Sequence, residues 1–270
     1  MARSSRLLAS VAALAIVVSA CGGSSSSDTT AVAGGDATFT PVQAGKLTVC
    51  TDAPYEPFEY QDENGVWTGF DMDIMTKIAE ANKLELNVSV QAFDGILLKL
   101  AAKECDVVAS SVTITEERAQ SVDFSTGYFD SYQSLLVRNE DKDALNSLES
   151  LNGKTIAVQT GTTGEAFAKE NAKGAKIQSY DDASAMFLAL ESKEVDGVLQ
   201  DFPINASRAV KQGTSTVSVK FTEGQEVEQY GFAVEKGNSA LLKVINDSLA
   251  TFKSDGTYET IFAKYFGASK

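Results

Sequence analysis

The sequence contains no histidine in its 270 residues. This absence removes the commonest general base and the commonest metal ligand, and with them every Ser-His-Asp and Cys-His triad. There are also only three cysteines, Cys21, Cys50 and Cys105. We therefore expect neither a metal site nor a catalytic triad, and we expect no cofactor.

Basic residues are scarce relative to acidic ones. The chain has 23 Lys and Arg against 37 Asp and Glu, a formal net charge of -14 and a pI of about 4.5. Because such a surface repels phosphate backbones, nucleic acid is not an expected partner. The hydrophobic content of 43% supports a globular core, which the chain length would allow as one large domain or two ordinary lobes.

Long apolar runs are missing except near the N-terminus. Arg3 and Arg6 precede the run LLASVAALAIVV, which is too short to span a bilayer comfortably, so residues 1–20 are predicted to be a signal peptide. Residues 21–44 are rich in Gly, Ser and Thr, which is typical of a flexible linker.

The segment VSAC, which ends at Cys21, resembles the lipobox of bacterial lipoproteins. That resemblance implies cleavage before Cys21 and a diacylglyceryl group on its sulfur. The alternative is an ordinary secretory signal with a chance cysteine. A lipid followed by a loose linker would hold the protein outside the cytoplasm at the cell membrane, in the periplasm or on the outer face.

The other two cysteines lie in apolar segments that read as strands. An unpaired thiol is a liability outside the cytoplasm, so Cys50 and Cys105 are a possible disulfide. The alternative is two buried, inert thiols.

From Lys46 onward, short β-rich runs alternate with helical runs, and the alternation occurs twice. Helices are predicted in DMDIMTKIAEANK, with Asp71 as its N-cap, and in DGILLKLAAKE, which begins at Asp94. Strands separated by helices indicate βαβ units and mostly parallel sheets. The predicted fold class is therefore α/β.

Two extended runs, SYQSLLVRN and EQYGFAVEKGN, connect the two sets of elements. We predict two lobes joined by two hinge segments, with a cleft between them and the last two helices packed on the first lobe. Residues 45–135 plus 232–270 form the predicted lobe 1, and residues 136–231 form the predicted lobe 2.

Polar residues follow several predicted strands, at the sheet edge where α/β proteins bind ligands. Six such segments occur in order: CTDAPYEPFEY, GFDMDIMTKIAE, AFDGILLKL, ECDVVASSVTITEERAQSVDFSTGYF, GKTIAVQTGTTGE and VDGVLQDFP. Together they resemble the polar amino-acid-binding proteins of ABC importers (solute-binding family 3), over about residues 45–267. The resemblance implies a two-lobed periplasmic-binding-protein-like fold that binds a free amino acid and delivers it to a membrane permease.

Arg118, in SSVTITEER, matches the family's arginine, whose planar fork suits a bidentate grip on the ligand's α-carboxylate. The alternative is a surface ion pair with Glu116, Glu117 or Asp123. Thr113 and Ser111 match the family's hydroxyl positions beside it, and Ser110, at the same strand end, is a further candidate. These hydroxyl groups could instead satisfy turn backbone.

Asp201, in LQDFP, matches the family's acid that pairs with the α-ammonium, and a helix N-cap is its alternative role. Thr162 and Thr163 end a strand and begin a helix, so their backbone N–H groups could bind an anion. A phosphate-binding P-loop is excluded because Glu165 stands where that motif has lysine.

Four residues are expected to select the ligand's side chain: Asp52, Tyr55, Phe93 and Gln159. The two aromatic residues match the family's walls around the ligand stem, with core packing as the alternative. Asp52 favours a cationic or amide side chain, and Gln159 favours an amide. A further acid at the pocket, Glu56 or Glu59, would favour arginine or lysine.

We therefore expect a monomeric binding protein, not an enzyme, with glutamine or a basic amino acid as the favoured ligand. Two alternatives stay open at this point. One is an enzyme on the same fold, such as a dehydratase, and the other is a ligand-binding sensor for a membrane receptor.

Overall fold

The computed structural model describes residues 39–223 and 225–267. The predicted signal peptide, Cys21 and most of the predicted linker lie outside these residues. The strands of the described part are β1 (Lys46–Thr51), β2 (Tyr60–Gln61), β3 (Trp67–Thr68), β4 (Glu85–Val90), β5 (Val107–Val108), β6 (Val122–Phe124), β7 (Phe129–Ser131), β8 (Gln133–Arg138), β9 (Thr155–Gln159), β10 (Lys176–Tyr180), β11 (Gly197–Asp201), β12 (Ser215–Lys220), β13 (Glu228–Tyr230) and β14 (Ala233–Glu235).

Helices alternate with these strands through most of the described chain. They are α1 (Phe70–Ala81), α2 (Leu98–Ala101), α3 (Glu116–Ala119), α4 (Thr163–Asn171), α5 (Ala183–Glu191), α6 (Phe202–Gln212), α7 (Ser239–Asp255) and α8 (Thr257–Phe266). No helix within residues 39–223 and 225–267 is long and apolar enough to span a membrane.

The strands form two five-stranded sheets with the same arrangement. The first has the order β4-β1-β5-β14-β6, and the second has the order β10-β9-β11-β8-β12. In each sheet four strands run in one direction, and a single strand, β14 or β8, runs against its two neighbours. The predicted pair of mostly parallel sheets is confirmed.

The two segments that cross between the lobes explain the antiparallel strands. β7 and β13 pair with each other as a two-stranded antiparallel ribbon. β7 leads into β8 of the second sheet, and β13 leads into β14 of the first. Each crossing segment therefore places one strand in the lobe that it enters, and the ribbon forms the hinge between them.

The predicted lobe boundary after residue 135 falls inside β8. This strand pairs with β11 from Gln133 onward, so residues 133–135 belong with the second sheet. The continuous apolar run of this crossing segment concealed the point at which the chain enters the second lobe.

Each lobe has its own apolar core. In the first lobe, Phe58, Phe70 and Tyr230 are fully buried and make edge-on aromatic contacts. Tyr230 was predicted to belong to lobe 2, so the predicted boundary after residue 231 lies too late in the chain. Leu241 of α7 and Ile261 of α8 belong to this core, so the final two helices pack on the first lobe. Burying each large side chain of this kind stabilises the fold by about 1.5–3 kcal/mol.

The second lobe has its core on the other sheet. This core is formed largely by β8, β9 and β11 and by α4, and its buried residues are Leu135, Val137, Leu145, Leu151, Ile156, Val158, Ala168, Ala172 and Leu199. The strand ends therefore rest on well-packed layers in both lobes, which fixes their positions relative to the sheets.

The start of α1 differs from the prediction that Asp71 is its N-cap. Gly69 is the capping residue, with φ of 117°. A Cβ at this position would lie 2.1 Å from Phe58 O, so only glycine fits. Asp71 instead lies inside the first turn, fully buried.

Two further predictions need correction. The helix expected from Asp94 is reduced to α2, because Gly95 adopts φ of +78° and tight turns precede the helix. The predicted linker also ends earlier than residue 44. Val42 N–H donates to Asp106 Oδ1 at 2.7 Å, which ties this stretch to the first lobe.

The structure pairs Cys50, in β1, with Cys105, just before β5, and their Cα atoms are 5.8 Å apart. We expect a nonreducing peptide map to recover these two cysteines in one linked peptide. Replacing both with serine should lower the free energy of unfolding by about 2–4 kcal/mol, because the unfolded chain regains freedom. Two thiols that alkylate in the native protein would contradict the pairing.

Candidate ligand-binding site

A cavity lies between the two lobes, lined by residues of both. All eleven residues predicted from the sequence to bind the ligand line it, together with Gly164 and Gln200. The lining residues are Asp52, Tyr55, Phe93, Ser110, Ser111, Thr113 and Arg118 of the first lobe, and Gln159, Thr162, Thr163, Gly164, Gln200 and Asp201 of the second.

The topology explains why these residues meet. In the first lobe most of them follow β1 and β5, and in the second they lie at the ends of β9 and β11. Within each lobe these strands are parallel, so their carboxyl ends share one sheet edge, and both edges face the cavity.

Arg118 lies in α3 on the cavity wall. Its Nη1 donates to Thr113 O at 2.8 Å, and its Nη2 donates to Gly161 O of the second lobe at 3.1 Å. The Phe93 ring lies beside it, with Arg118 Cζ 5.3 Å from the ring centroid. Asp123, one of the surface partners considered from the sequence, forms its ion pair with Lys236 instead.

Burial lowers the pKa of Arg118 from its ordinary value, and the nearby carboxylates of Asp201 and Glu228 oppose this shift. The two contacts just described are to neutral carbonyl groups. The guanidinium is therefore a cation at the cavity wall with capacity to bind an anion.

Asp201 lies on the second lobe and is buried, with 7% of its surface exposed. It accepts hydrogen bonds from Gln133 Nε2 at 2.6 Å and from Tyr230 OH. It occupies the N-cap position of α6, but its side chain makes no capping bond, which argues against that alternative role.

Burial raises the pKa of Asp201 to about 7. The carboxylate of Glu228 adds to this rise, whereas the hydrogen bonds from Tyr230 and Gln133 and the charge of Arg118 oppose it. A cation bound beside Asp201 would lower its pKa and favour the ionised form.

Thr113 and Thr163 face each other from the two lobes, with their hydroxyl oxygens 3.5 Å apart. Among the contacts of residues 39–223 and 225–267, neither backbone N–H donates to a protein acceptor. Thr163 is the first residue of α4, where free N–H groups and the helix dipole favour an anion. Together with Arg118, these groups form a candidate carboxylate site.

Thr162 has a structural role as well. Its hydroxyl accepts a hydrogen bond from Glu165 N–H at 3.1 Å and donates to Gln159 O at 2.7 Å. It therefore caps α4 and holds the turn after β9.

Asp52 and Gln159 connect the two lobes at the cavity. Gln159 Nε2 donates to Asp52 Oδ2 and also to Asp181 O at 3.0 Å. Burial raises the pKa of Asp52 to about 6, the bond from Gln159 opposes this rise, and the charge of Asp182 adds to it. Within the described residues Asp52 forms no ion pair.

Tyr55 lies between the lobes and packs against apolar residues of both. Burial raises its pKa well above the ordinary value, so its hydroxyl stays protonated. Tyr55 and Phe93 are thus aromatic walls of the cavity, and their contact with a ligand stays a prediction.

Two fully buried acids, Asp71 and Glu59, lie behind the cavity. This position was not predicted from the sequence. Asp71 accepts hydrogen bonds from Ser111 N–H at 3.0 Å and from Tyr128 OH at 2.7 Å. Glu59 accepts from Ser111 Oγ at 3.3 Å and from Ser110 Oγ at 3.4 Å. These bonds hold Ser111 in the left-handed region, with φ of 49°.

Glu59 is therefore not available as a further acid in the pocket. Burial is the largest cause of its raised pKa, and the charges of Asp71 and Asp52 add to the rise. The other candidate, Glu56, forms an ion pair with Lys211 across the lobes.

Gln133, Glu228 and Tyr230 support the site from the hinge segments. From the sequence these segments read only as extended apolar runs. Their one signal was a polar residue inside such a run, as in SYQSLLV and EQYGFAV.

Within the described residues, no group of three Cys, Asp or Glu is placed to hold a metal ion.

Two α/β lobes that enclose a polar cavity at their hinge define a bilobal ligand-binding protein. The family model for bacterial extracellular solute-binding proteins, family 3, matches residues 47–268, and the chain belongs to this family.

Two relatives of this chain differ in the ligand that their names give. The chain is 33% identical over 226 residues to the L-cystine-binding protein TcyJ of Escherichia coli K12, covering 84% of each chain. It is 30% identical over 231 residues to the ABC transporter arginine-binding protein 1 of the same strain, covering 85% of this chain and 94% of the relative. Both relatives bind an amino acid, but their ligands differ.

Solved structures agree with the fold. An ancestral arginine-binding protein bound to arginine shares 39% identity and a TM-score of 0.77, over 83% of this chain and 99% of that one. A mutant of ArgBP from T. maritima shares 37% identity and a TM-score of 0.77, over 82% and 95% of the two chains. An ancestral amino acid-binding protein described as a precursor of cyclohexadienyl dehydratase shares 36% identity and a TM-score of 0.76, over 82% and 96% of the two chains.

Burial raises the pKa of Asp71 from 3.8 to about 7, so the folded protein keeps a proton that the unfolded chain releases near pH 4. The free energy of unfolding should therefore fall as pH rises from about 4 to about 7. This one group contributes up to about 1.4 kcal/mol per pH unit. Chemical denaturation at several pH values measures this slope.

The variant Asp71→Asn cannot ionise, so its slope over this pH range should be smaller by that contribution. Glu63→Gln, at an exposed loop position, is the matched control and should keep the wild-type slope. A wild-type slope in Asp71→Asn would contradict the assignment of a buried, protonated carboxyl.

Proposed function

We propose that this protein binds a free amino acid between its lobes and delivers it to an ABC permease in the membrane. The observation that carries this proposal is that Arg118 and Asp201 line the same cavity from opposite lobes. A free amino acid offers a carboxylate and an ammonium at fixed spacing. Both lose water on binding, so each needs a charged, hydrogen-bonding partner.

The roles divide between the lobes. Arg118, with the backbone N–H groups of Thr113 and Thr163, binds the α-carboxylate, and Asp201 binds the α-ammonium. Tyr55 and Phe93 enclose the aliphatic stem. Ligand contacts on both walls stabilise the closed arrangement, and the permease recognises that closed form.

The charges of the lining favour a basic amino acid. The lining contains two acids, Asp52 and Asp201, and one base, Arg118. A ligand with a cationic side chain supplies two positive groups and one negative group, so every charge in the closed cavity gains a partner. The arginine-binding relatives support this choice.

Glutamine is the second candidate, because Gln159 already donates an amide hydrogen to Asp52. A ligand amide could take the place of that donor at Asp52. An ancestral relative 39% identical to this chain has been solved with arginine and also with glutamine, which supports both ligands.

Binding without turnover is the proposed activity. The neighbour described as a dehydratase precursor keeps the enzyme alternative open to test. Incubation with the amino acid that binds should return it unchanged, and product formation would favour an enzyme. A sensor would also bind without turnover, but only a transporter subunit would stimulate ATP hydrolysis by its permease complex.

We also propose that the protein acts as a monomer held to the cell membrane by lipid on Cys21. The residues that line the cavity between the lobes all come from one chain, which supports the monomer, and the lipobox-like sequence VSAC together with the Gly/Ser-rich linker supports the anchor.

Arg118→Ala should weaken amino-acid binding at least about 100-fold by calorimetry, because two charge-assisted hydrogen bonds are lost, each contributing about 1.5–3 kcal/mol. Arg208→Ala is the matched control, since Arg208 pairs with Glu191 and does not line the cavity. Near-normal affinity of a folded Arg118→Ala protein would refute the role of Arg118.

The same titrations can separate the two ligand classes. Asp52→Asn should weaken binding of arginine and lysine more than binding of glutamine, because it removes the countercharge for the side chain. Equal losses for all three amino acids would contradict the assignment of Asp52 to the side-chain cation.

Cys21→Ser should move the protein from the membrane fraction to the soluble fraction, because the sulfur that carries the lipid is absent. Cell fractionation followed by immunoblotting measures this change. Persistent membrane association of Cys21→Ser would count against lipidation at this residue.

A further inference from the structure

Glu228 lies in β13, outside the cavity lining. Its carboxylate accepts hydrogen bonds from three side chains. Thr113 Oγ1 and Thr163 Oγ1 each donate to Glu228 Oε2 at 3.0 Å. Gln133 Nε2 donates to Glu228 Oε1 at 3.0 Å. Donors from the first lobe and from the second lobe therefore converge on one side chain at the hinge.

Glu228 is attached to the first lobe through its own strand. Ile114 N–H donates to Gln229 O at 2.8 Å, and Gly231 N–H donates to Val112 O at 3.0 Å. These backbone bonds flank the hinge strand on the side of the first lobe. When the lobes separate, Glu228 should therefore move with the first lobe.

Thr163 and Gln133, which both donate to Glu228, are attached to the second lobe instead. Thr163 begins α4, and Gln133 begins β8, so both belong to the second lobe. Separating the lobes would break the bond between Thr163 and Glu228. This contact is therefore specific to the closed arrangement.

The same carboxylate supports groups that line the cavity. It fixes the hydroxyl groups of Thr113 and Thr163, whose backbone N–H groups face the proposed carboxylate site. Gln133 Nε2 bridges Glu228 and Asp201, which it reaches at 2.6 Å. Both halves of the proposed amino-acid site are thus connected to Glu228, although Glu228 itself does not line the cavity.

We propose that Glu228 is a closure latch, a positioning residue that holds the two lobes together through Thr113, Thr163 and Gln133 and thereby slows ligand release. Hydrogen bonds to a carboxylate are about twice as strong as neutral ones. Because the latch acts after the lobes meet, it should affect the dissociation rate more than the association rate. Its effect on ligand release rests on the proposed function, but its effect on closure does not.

The test compares wild-type protein with Glu228→Gln, which keeps the side-chain shape but removes the charge. Stopped-flow experiments with L-arginine should show dissociation at least about tenfold faster, as expected for the loss of one charge-assisted hydrogen bond, with little change in association. Glu226→Gln, at an exposed position of the same segment, is the control and should behave as wild type. Unchanged or slower dissociation from Glu228→Gln would overturn the latch.

A double-mutant cycle provides a second measurement. Thr163→Val removes the donor of the bond between the lobes and keeps the backbone N–H, so it should also speed dissociation. The double variant with Glu228→Gln should be no faster than the more affected single variant, because both changes remove one shared bond. Additive effects would contradict the latch. If Glu228→Gln does not fold, faster dissociation from Thr163→Val supports the latch and an unchanged rate overturns it.

A measurement without ligand separates this inference from the proposed function. Small-angle scattering of the ligand-free proteins should give a larger radius of gyration for Glu228→Gln than for wild type and Glu226→Gln. If L-arginine does not bind, scattering alone decides. A larger radius would then support the latch even though the proposed ligand fails, and equal radii would overturn it.

Discussion

The rest of the structure depends on one constraint: two side chains of opposite charge are removed from water between the two lobes. Arg118 and Asp201 come from facing walls, and each is held mainly by neutral groups: carbonyl oxygens hold the guanidinium, and an amide and a phenol hold the carboxylate. A charge that stays buried without a counterion costs several kcal/mol. A zwitterion provides both counterions at once, which explains why this cavity suits a free amino acid.

The fold places those charges by repeating one arrangement. Each sheet ends its parallel strands at the cavity, and each receives one antiparallel strand from the segment that crosses the hinge. The crossing segments also carry Gln133, Glu228 and Tyr230, which hold Asp201 and the two threonines. Residues of the segments that cross between the lobes are thus bonded to the residues proposed to bind the ligand, as a coupling between closure and binding would require.

Much of this arrangement could be predicted from the sequence, because strand and helix patterns are local and strand ends mark a shared edge. The α/β class, the two lobes and the set of residues that line the cavity follow from that logic and from the family resemblance. Asp71 shows where local rules fail. Its position suggested a helix cap, but its partners Ser111 and Tyr128 lie 40 and 57 residues away. Glu228 was missed for the same reason, since its partners are 65 to 115 residues distant.

The central claim is that both charged ends of the ligand are held, and modified ligands test it most directly. Calorimetric titration of the wild-type protein should compare L-arginine with agmatine, which lacks the carboxylate, and with 5-guanidinovaleric acid, which lacks the α-amine. We expect L-arginine to bind and each analogue to bind at least about 100-fold more weakly, since each leaves one buried protein charge without a partner. Similar affinities for all three compounds would contradict the account.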